Sequence, residues 1–460
     1  MHICYNIYIT RTKRKLQIST YINKLLLEAT MEQIIINGGR TLHGTVSING
    51  MKNAALPIIS ACVLNEEPCI IDNIPPVSDI ETLLDILVSI GAEVRRLTKN
   101  SVEICCKHVR PCSSPRELAE KLRGSSYLLG AEFGRFAKAS VSHPGGCSIG
   151  ARPLDLHMKA FEALGADCVH RNGRLEVSTD APRPVGNTIY FDKISVGATA
   201  NAILASVLAD GVTTIENAAR EPHIVDLSAF LNACGANIIG AGTSVIKIKG
   251  VQKLHGCRHS IIPDMIEAGT FMAAVATTGG RVTVTNVIPK HLEAISSKLE
   301  EAGVTVICGD DSITVESNGK LRGVSIVTKE YPGFATDMQP QFGAMLCFAE
   351  GASDIVENIF SSRFQYLDEL AKMGADIKID SNHAVIRGGA KLSGAPLFCH
   401  DLRAGAAMVI AALATNDTSI IEGIDKIERG YYNIVGKLRD LGADIQKKAA
   451  VADEQITATM

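Results

Sequence analysis

Three glycines within six residues surround one thiol in the stretch His143-Pro144-Gly145-Gly146-Cys147-Ser148-Ile149-Gly150-Ala151-Arg152-Pro153. Glycine lacks the Cβ that restrains the backbone, so Cys147 is expected on a mobile loop and not in a core. An arbitrary member of the chain's 13 cysteines is far more often a small buried hydrophobe, and it is the neighbours that single out Cys147. Pro153 suits the first turn of a helix with Leu156, Phe161 and Leu164 at helical spacing, stopping at Gly165. Arg152 then stands just before a helix N-terminus, where backbone N–H groups and a guanidinium both favour an anion. The chemistry on offer is that of a thiol acid or nucleophile beside an anion site.

The elements that would position these residues repeat along the chain. A short helix ending in Gly-Ala or Gly-Val, followed by a strand, recurs at Gly91, Gly165, Gly235, Gly303, Gly374 and Gly442, in steps of about 70 residues. Most copies run through a small-residue helix, an acidic-Gly turn, a β-rich run such as Thr213-Thr214-Ile215-Glu216-Asn217, an amphipathic helix and paired strands. This predicts an α/β protein of six βαβαββ-like units, three to a domain. The first helix of each copy, as in Ala198 to Ala209, Met265 to Ala276 and Ala404 to Ala414, carries little charge and is expected to be buried on nearly every side.

Polar residues collect at the N-termini of those helices: Lys52-Asn53, Arg123-Gly124-Ser125, Lys193-Ile194-Ser195, Asp264, Thr336-Asp337 and Asp401-Leu402-Arg403. Capping accounts for Ser, Asn, Thr and Asp there, and Thr336 could cap in place of Asp337. Lys and Arg oppose the helix dipole unless an anion lies between, and four of the six copies carry one. Parallel helices within each domain would bring these ends to a shared cleft suited to a polyanion.

Residues 1 to 30 do not pattern with the repeats. Arg11, Lys13, Arg14 and Lys15 follow the apolar run Cys4 to Ile9 instead of preceding it, so a secretory signal is not expected, and Met31 is a plausible true start. The rest exceeds one core and, with 46% apolar and 21% charged residues, suits two domains. No apolar run approaches a membrane span. A net charge of −3 leaves no basic stripe for nucleic acid. Cys105 and Cys106 are adjacent, but no C-x-x-C pair or Cys/His spacing suggests a metal, so a reduced, cytoplasmic protein without a metal site is expected.

Five segments together carry a family resemblance: Asn49-Gly50-Met51-Lys52-Asn53-Ala54-Ala55-Leu56-Pro57, Pro144 to Pro153, Glu216-Asn217-Ala218-Ala219-Arg220-Glu221-Pro222, Ala335-Thr336-Asp337-Met338-Gln339 and Arg429-Gly430-Tyr431. They resemble the UDP-N-acetylglucosamine 1-carboxyvinyltransferases, a family of enolpyruvyl transferases, in the same order from about Met31 to about Lys447. The resemblance implies two similar domains of the inside-out α/β barrel type, each of three repeats. The first would be discontinuous, residues 31–50 plus 263–450, and the second would be residues 51–262, with a polar tail at 451–460.

The resemblance also implies a reaction: transfer of the enolpyruvyl group of phosphoenolpyruvate to the 3′-hydroxyl of UDP-N-acetylglucosamine, with loss of phosphate, committing the sugar to peptidoglycan. By position Cys147 matches the general acid and Asp337 the proposed base; Lys52, Arg123, Arg152, Arg363, Arg403 and Arg429 match the cations that hold the anionic substrates. By the same carry-over, Asn53 lies at the sugar, Arg152, Pro153, Leu154, Asp155 and Leu156 around the uridine, Lys193, Ile194, Ser195 and Val196 at the diphosphate, and Ile359 near the sugar nucleotide. Two small-molecule substrates, no cofactor and a monomer are implied, and the antibiotic fosfomycin would alkylate Cys147. Met51, His223 and Ser361-Ser362 depart from the family pattern and bear on affinity, not on reaction type. The alternatives are enolpyruvyl transfer to shikimate 3-phosphate, whose family has a different N-terminal signature and no Pro-Gly-Gly-Cys loop, and a sugar-nucleotide-binding paralogue without turnover.

Overall fold

The computed structural model describes residues 32–112, 114–145, 149–150, 152–389 and 391–449. The leader (residues 1–30), Cys147 and the tail 451–460 lie outside the described residues. The glycines that mark the repeat, Gly91, Gly165, Gly235, Gly303, Gly374 and Gly442, all have φ between 87° and 107°, left-handed values that let the chain leave each amphipathic helix and turn into a strand. Asn73, Asn217 and Asn286 mark a second repeated device. Each ends a strand with φ of 55° and donates its side-chain amide to a carbonyl just past the parallel neighbour: Ile261 (2.8 Å), Phe191 (2.8 Å) and Ile48 (2.6 Å).

Six apolar helices form the interior: α1 (Lys52–Ala61), α2 (Tyr127–Phe136), α3 (Val196–Ser206), α4 (Met265–Thr278), α5 (Gln339–Leu346) and α6 (Leu402–Ala414). Their alanines and glycines permit close approach, and nearly every residue in them is buried. In one set α2 packs on both α1 and α3; in the other α4, α5 and α6 all pack on one another. Six sheets cover them. Strands such as Val245–Lys249, which alternates exposed and buried residues, turn one face to the helices and one to solvent. The sheet of residues 188–249 shows the unit: Thr188–Tyr190 pairs in parallel with Val212–Glu216, and the rest is antiparallel.

The strands are not always supplied by the unit they complete. Strand β1 (Glu32–Asn37) inserts between Thr418–Glu422 and Asp444–Ala449. Strand β2 (Leu42–Ser47) pairs in parallel with Gly280–Thr285, and Arg258–Ser260 pairs in parallel with Cys69–Asp72. Residues 32–47 therefore share sheets only with strands beyond residue 263, and the strands from 69 to 260 pair among themselves, three sheets in each set.

The chain crosses between the two sets twice, and the crossings are bonded to each other. Gly50 bridges Pro263, Met51 N–H donates to the Ile262 carbonyl (2.7 Å), and Asp264 N–H donates to the Asn49 carbonyl (2.9 Å). Lys437 Nζ adds bonds to the Ser47 carbonyl and Glu267 Oε1, both 2.7 Å. A Cβ on Gly50 would stand 1.7 Å from the Asn73 carbonyl oxygen, so the backbone itself would have to move. Gly50→Ala is expected to destabilise the protein by about 1–3 kcal/mol, as overpacking does. An unchanged urea midpoint would show that the crossing relaxes freely.

Candidate functional site

All six interior helices present their N-terminal ends to one cleft of ≈ 680 Å³. Lys52 and Asn53 open α1, Arg123 lies in the 3₁₀ turn before α2, Lys193 to Val196 lead into α3, Met265 opens α4, Thr336 and Asp337 precede α5, and Asp401 to Arg403 open α6. Ser195, Asp264 and Asp401 are caps, accepting from Ala198 N (3.3 Å), Ile266 N (2.8 Å) and Arg403 N (2.8 Å) respectively. Thr336 and Asp337 are not: Thr336 Oγ1 donates to Glu357 Oε2 (3.0 Å) instead, which corrects the capping expectation for Thr336.

Asp337 is the charge centre of one wall. Its Oδ1 accepts from Arg363 Nη2 (2.8 Å) and its Oδ2 from Arg403 Nη2 (3.0 Å). Both arginines are at most 4% exposed. Burial alone would raise the Asp337 carboxyl, but the Arg403 and Arg363 guanidiniums outweigh it and hold the group well below the usual carboxylate range. Among the described residues, Arg363 Nε and Arg403 Nη1 are buried N–H donors without a hydrogen-bond partner. Two cations share one carboxylate here, with donor capacity left for a further anion.

The opposite wall repeats the theme. Asp79, in the first turn of the helix Ser78–Ser89, accepts from Lys52 Nζ (3.0 Å) and Arg429 Nε (2.8 Å). Burial would raise its carboxyl, yet Lys52 and Arg429 prevail and lower it. The Arg429 contact joins the two sets of sheets. Arg123 Nη2 donates to the Arg152 carbonyl (2.6 Å), and burial, reinforced by the nearby Arg152 charge, pushes its guanidinium down to about 10. Beside it His157, 4% exposed, meets Asn201 Nδ2 through Nδ1 (2.8 Å) and is held down at about 3 by burial and by Arg123.

Every residue matched to a catalytic or substrate-binding position lines this cleft except two. Cys147 lies outside the described residues, though Ile149, two positions on, is in the lining. Leu154 is buried, packs into the core and does not line the cleft. It is the residue before the helix Asp155–Ala163, so Pro153 stands ahead of that helix and not in its first turn. Asp79 and Glu357 were not anticipated. Glu357, 4% exposed, accepts from Thr336 Oγ1, from Ile359 N (2.8 Å) and from Phe360 N (3.1 Å), so one carboxylate ties the Ile359 segment to the Asp337 turn.

The rims of the two sets touch: Ser362 N donates to the Ile149 carbonyl (3.3 Å), and Tyr331 N to Glu221 Oε1 (3.4 Å). Of the residues that depart from the family pattern, Met51 is buried at the crossing and His223 lies at the cleft with its ring held neutral to about 4 by burial. A histidine whose folded pKa lies below its usual 6.5 takes up its proton earlier when unfolded, so stability is lost as pH falls from about 6.5 towards 4, by up to about 1.4 kcal/mol per pH unit for each such ring. His157→Gln should flatten the dependence of the urea midpoint on pH in that window; an equal slope in parent and variant would remove His157 as its source.

The sequence model of the EPSP synthase family (3-phosphoshikimate 1-carboxyvinyltransferase) matches residues 36–438. A Clostridium acetobutylicum protein named UDP-N-acetylglucosamine 1-carboxyvinyltransferase 2 is 51% identical over 91% of this chain and 100% of its own length. UDP-N-acetylglucosamine 1-carboxyvinyltransferase 3 of Caldanaerobacter subterraneus is 50% identical over 90% of this chain and 99% of its own length. Among solved structures, the enolpyruvyl transferase NikO of Streptomyces tendae superposes with a TM-score of 0.82 at 26% identity, over 91% of this chain and 99% of that one. EPSP synthase of Acinetobacter baumannii, at 19% identity and a TM-score of 0.70 over 91% of this chain and 100% of its own, shares the fold. The cleft between two sets of α/β units and the identity along nearly the whole chain agree: the protein belongs to the enolpyruvyl transferase family, on the branch of the UDP-N-acetylglucosamine 1-carboxyvinyltransferases.

Proposed function

We propose that the protein transfers the enolpyruvyl group of phosphoenolpyruvate to the 3′-hydroxyl of UDP-N-acetylglucosamine, releasing phosphate, as the first committed step of peptidoglycan synthesis. The observation that carries this reading is the pair of buried arginines with unsatisfied N–H groups beside Asp337. A phosphate or carboxylate seated on them completes their hydrogen bonding without any cofactor. The pyruvyl C2 gains cationic character during addition, and Lys52, Arg123, Arg152, Arg363, Arg403 and Arg429 hold its anionic groups in place.

The addition step moves two protons. Cys147 gives one to the methylene carbon while Asp337 takes one from the sugar hydroxyl, whose oxygen bonds C2. Elimination returns a proton from the new methyl group to the enzyme and breaks the C2–O bond to phosphate. Asp337 is a weak base while both guanidiniums face it; substrate anions that engage Arg363 and Arg403 weaken that hold and raise its proton affinity at the moment it is needed. Asn53 lies at the sugar, Arg152, Pro153, Asp155 and Leu156 around the uridine, Lys193 to Val196 at the diphosphate, and Ile359 near the sugar nucleotide. Residues 31–50 with 263–450, and 51–262, act as two domains that close on substrate across the bonded crossing, as a monomer in the cytoplasm, with neither membrane nor nucleic acid as partner. Among the described residues, no helix is long and apolar enough to cross a membrane.

Phosphate release is expected only when phosphoenolpyruvate and UDP-N-acetylglucosamine are both supplied. Release with shikimate 3-phosphate and none with the sugar nucleotide would replace this reading by the shikimate one; tight sugar-nucleotide binding with no release would replace it by the non-catalytic one.

A further inference from the structure

Away from the cleft, the thiols of Cys69, Cys234 and Cys257 lie within 4.8 Å of one another. The Cys234 and Cys257 sulfurs are 3.2 Å apart. The buried Cys62 thiol donates to the Ile58 carbonyl (3.5 Å) and is not one of the group. Tetrahedral zinc with Zn–S bonds of about 2.3 Å needs sulfurs roughly 3.8 Å apart, which falls inside the observed range. We propose that Cys69, Cys234 and Cys257, with water in the fourth position, form a binding site for a thiophilic divalent cation of the zinc class.

Three different elements bring the sulfurs together. Cys69 begins the strand Cys69–Asp72, Cys234 caps the end of the helix Pro222–Ala233, and Cys257 precedes Arg258–Ser260. The backbone holds them in register: Ile70 N donates to the Cys257 carbonyl and His255 N to the Cys234 carbonyl, both at 2.9 Å. Arg135 Nη1 fixes the 3₁₀ turn after α1 by donating to the Val63 carbonyl (2.9 Å), and Asn65 Nδ2 donates to Cys69 Sγ (3.3 Å), the outer N–H···S contact that supports a metal thiolate. Cys69 and Cys234 are buried and Cys257 is half-buried, which leaves a path for the ion and for its water ligand from one side. A disulfide would need a sulfur separation of about 2.05 Å and would use two thiols, leaving the third without a partner. Binding transfers the thiol protons to solvent and links the first and third units of the 51–262 stretch just ahead of the crossing at Pro263.

The test uses the full chain, reduced, stripped with a chelator and titrated with cobalt(II) and then zinc(II). One equivalent of cobalt is expected to give sulfur-to-metal charge-transfer bands and the intense visible bands of a tetrahedral site, both lost when zinc displaces it. Cys69→Ser and Cys234→Ser should each lower the apparent affinity roughly a hundredfold or more, and Cys308→Ser, on an exposed strand elsewhere, should not. If the serine variants fail to fold, the parent decides: zinc should shield at least three thiols from a disulfide reagent until a chelator is added. No cobalt bands in the reduced chain, bands that persist in Cys69→Ser, or a Cys234–Cys257 disulfide with no metal uptake after reduction would each overturn the site.

Discussion

Asp337→Asn lowers turnover by roughly 10²–10⁴-fold, the range that a positioned general base supplies, while phosphate and phosphoenolpyruvate bind at least as tightly as to the parent. The two effects have opposite signs because the carboxylate has two roles. On the proposed mechanism it takes the hydroxyl proton, and its ion pairs with Arg363 Nη2 and Arg403 Nη2 compete with substrate anions for the same donors. Asparagine keeps the shape but removes the negative charge, so two nearly buried guanidiniums face each other without a counter-ion. Breaking a buried pair in this way costs about 3–5 kcal/mol, so the variant should melt earlier than the parent and recover most of the difference in added phosphate. A purely structural carboxylate would show the loss of stability and its recovery without the loss of turnover. A kcat within tenfold of the parent at saturating substrates would remove Asp337 as the base.

The residues that were legible in the sequence are those that break a local rule. Lys52, Arg123, Lys193 and Arg403 oppose the helix dipole at the starts of apolar helices, and the cleft they line explains why. Asp79 was invisible for the converse reason: an acidic residue in the first turn of an amphipathic helix is what the dipole prefers, and nothing local shows that Lys52 and Arg429 converge on it. Glu357 is concealed in a strand end, and its role depends on Thr336, Ile359 and Phe360 meeting there. The period of about 70 residues revealed the units, but not that β2 completes the sheet of Gly280–Thr285 while Arg258–Ser260 completes that of Cys69–Asp72. Alternation marks a strand without naming its partner. That same exchange assembles the cluster of Cys69, Cys234 and Cys257, whose spacing matches no familiar metal pattern until the strands pair.

Fosfomycin is expected to inactivate the protein irreversibly through Cys147, and to do so faster when UDP-N-acetylglucosamine is present. Sequence and described structure support this from two sides. Ile149 and Arg152, which follow Cys147 closely in sequence, line a cleft that also holds Lys52 and Arg123, cations that draw in an anionic phosphonate. Several of the other thiols are poorer targets: burial pushes Cys106, Cys168 and Cys347 up to about 12 and Cys112 to about 11, leaving almost no thiolate at neutral pH. Cys308 is the exposed competitor among the described cysteines, and it lies on the strand Thr305–Cys308, outside the cleft lining. The sugar nucleotide is expected to accelerate the reaction by holding together rims that meet at Ser362 and Ile149. Cys147→Asp should keep part of the turnover and resist the drug, because a carboxylic acid still delivers a proton but attacks an epoxide poorly. Cys147→Ala should lose most turnover and still bind sugar nucleotide. Peptide mapping of the inactivated protein decides the matter: an adduct on Cys308 or any buried cysteine, or parental turnover in Cys147→Ala, would take the acid's role away from this residue.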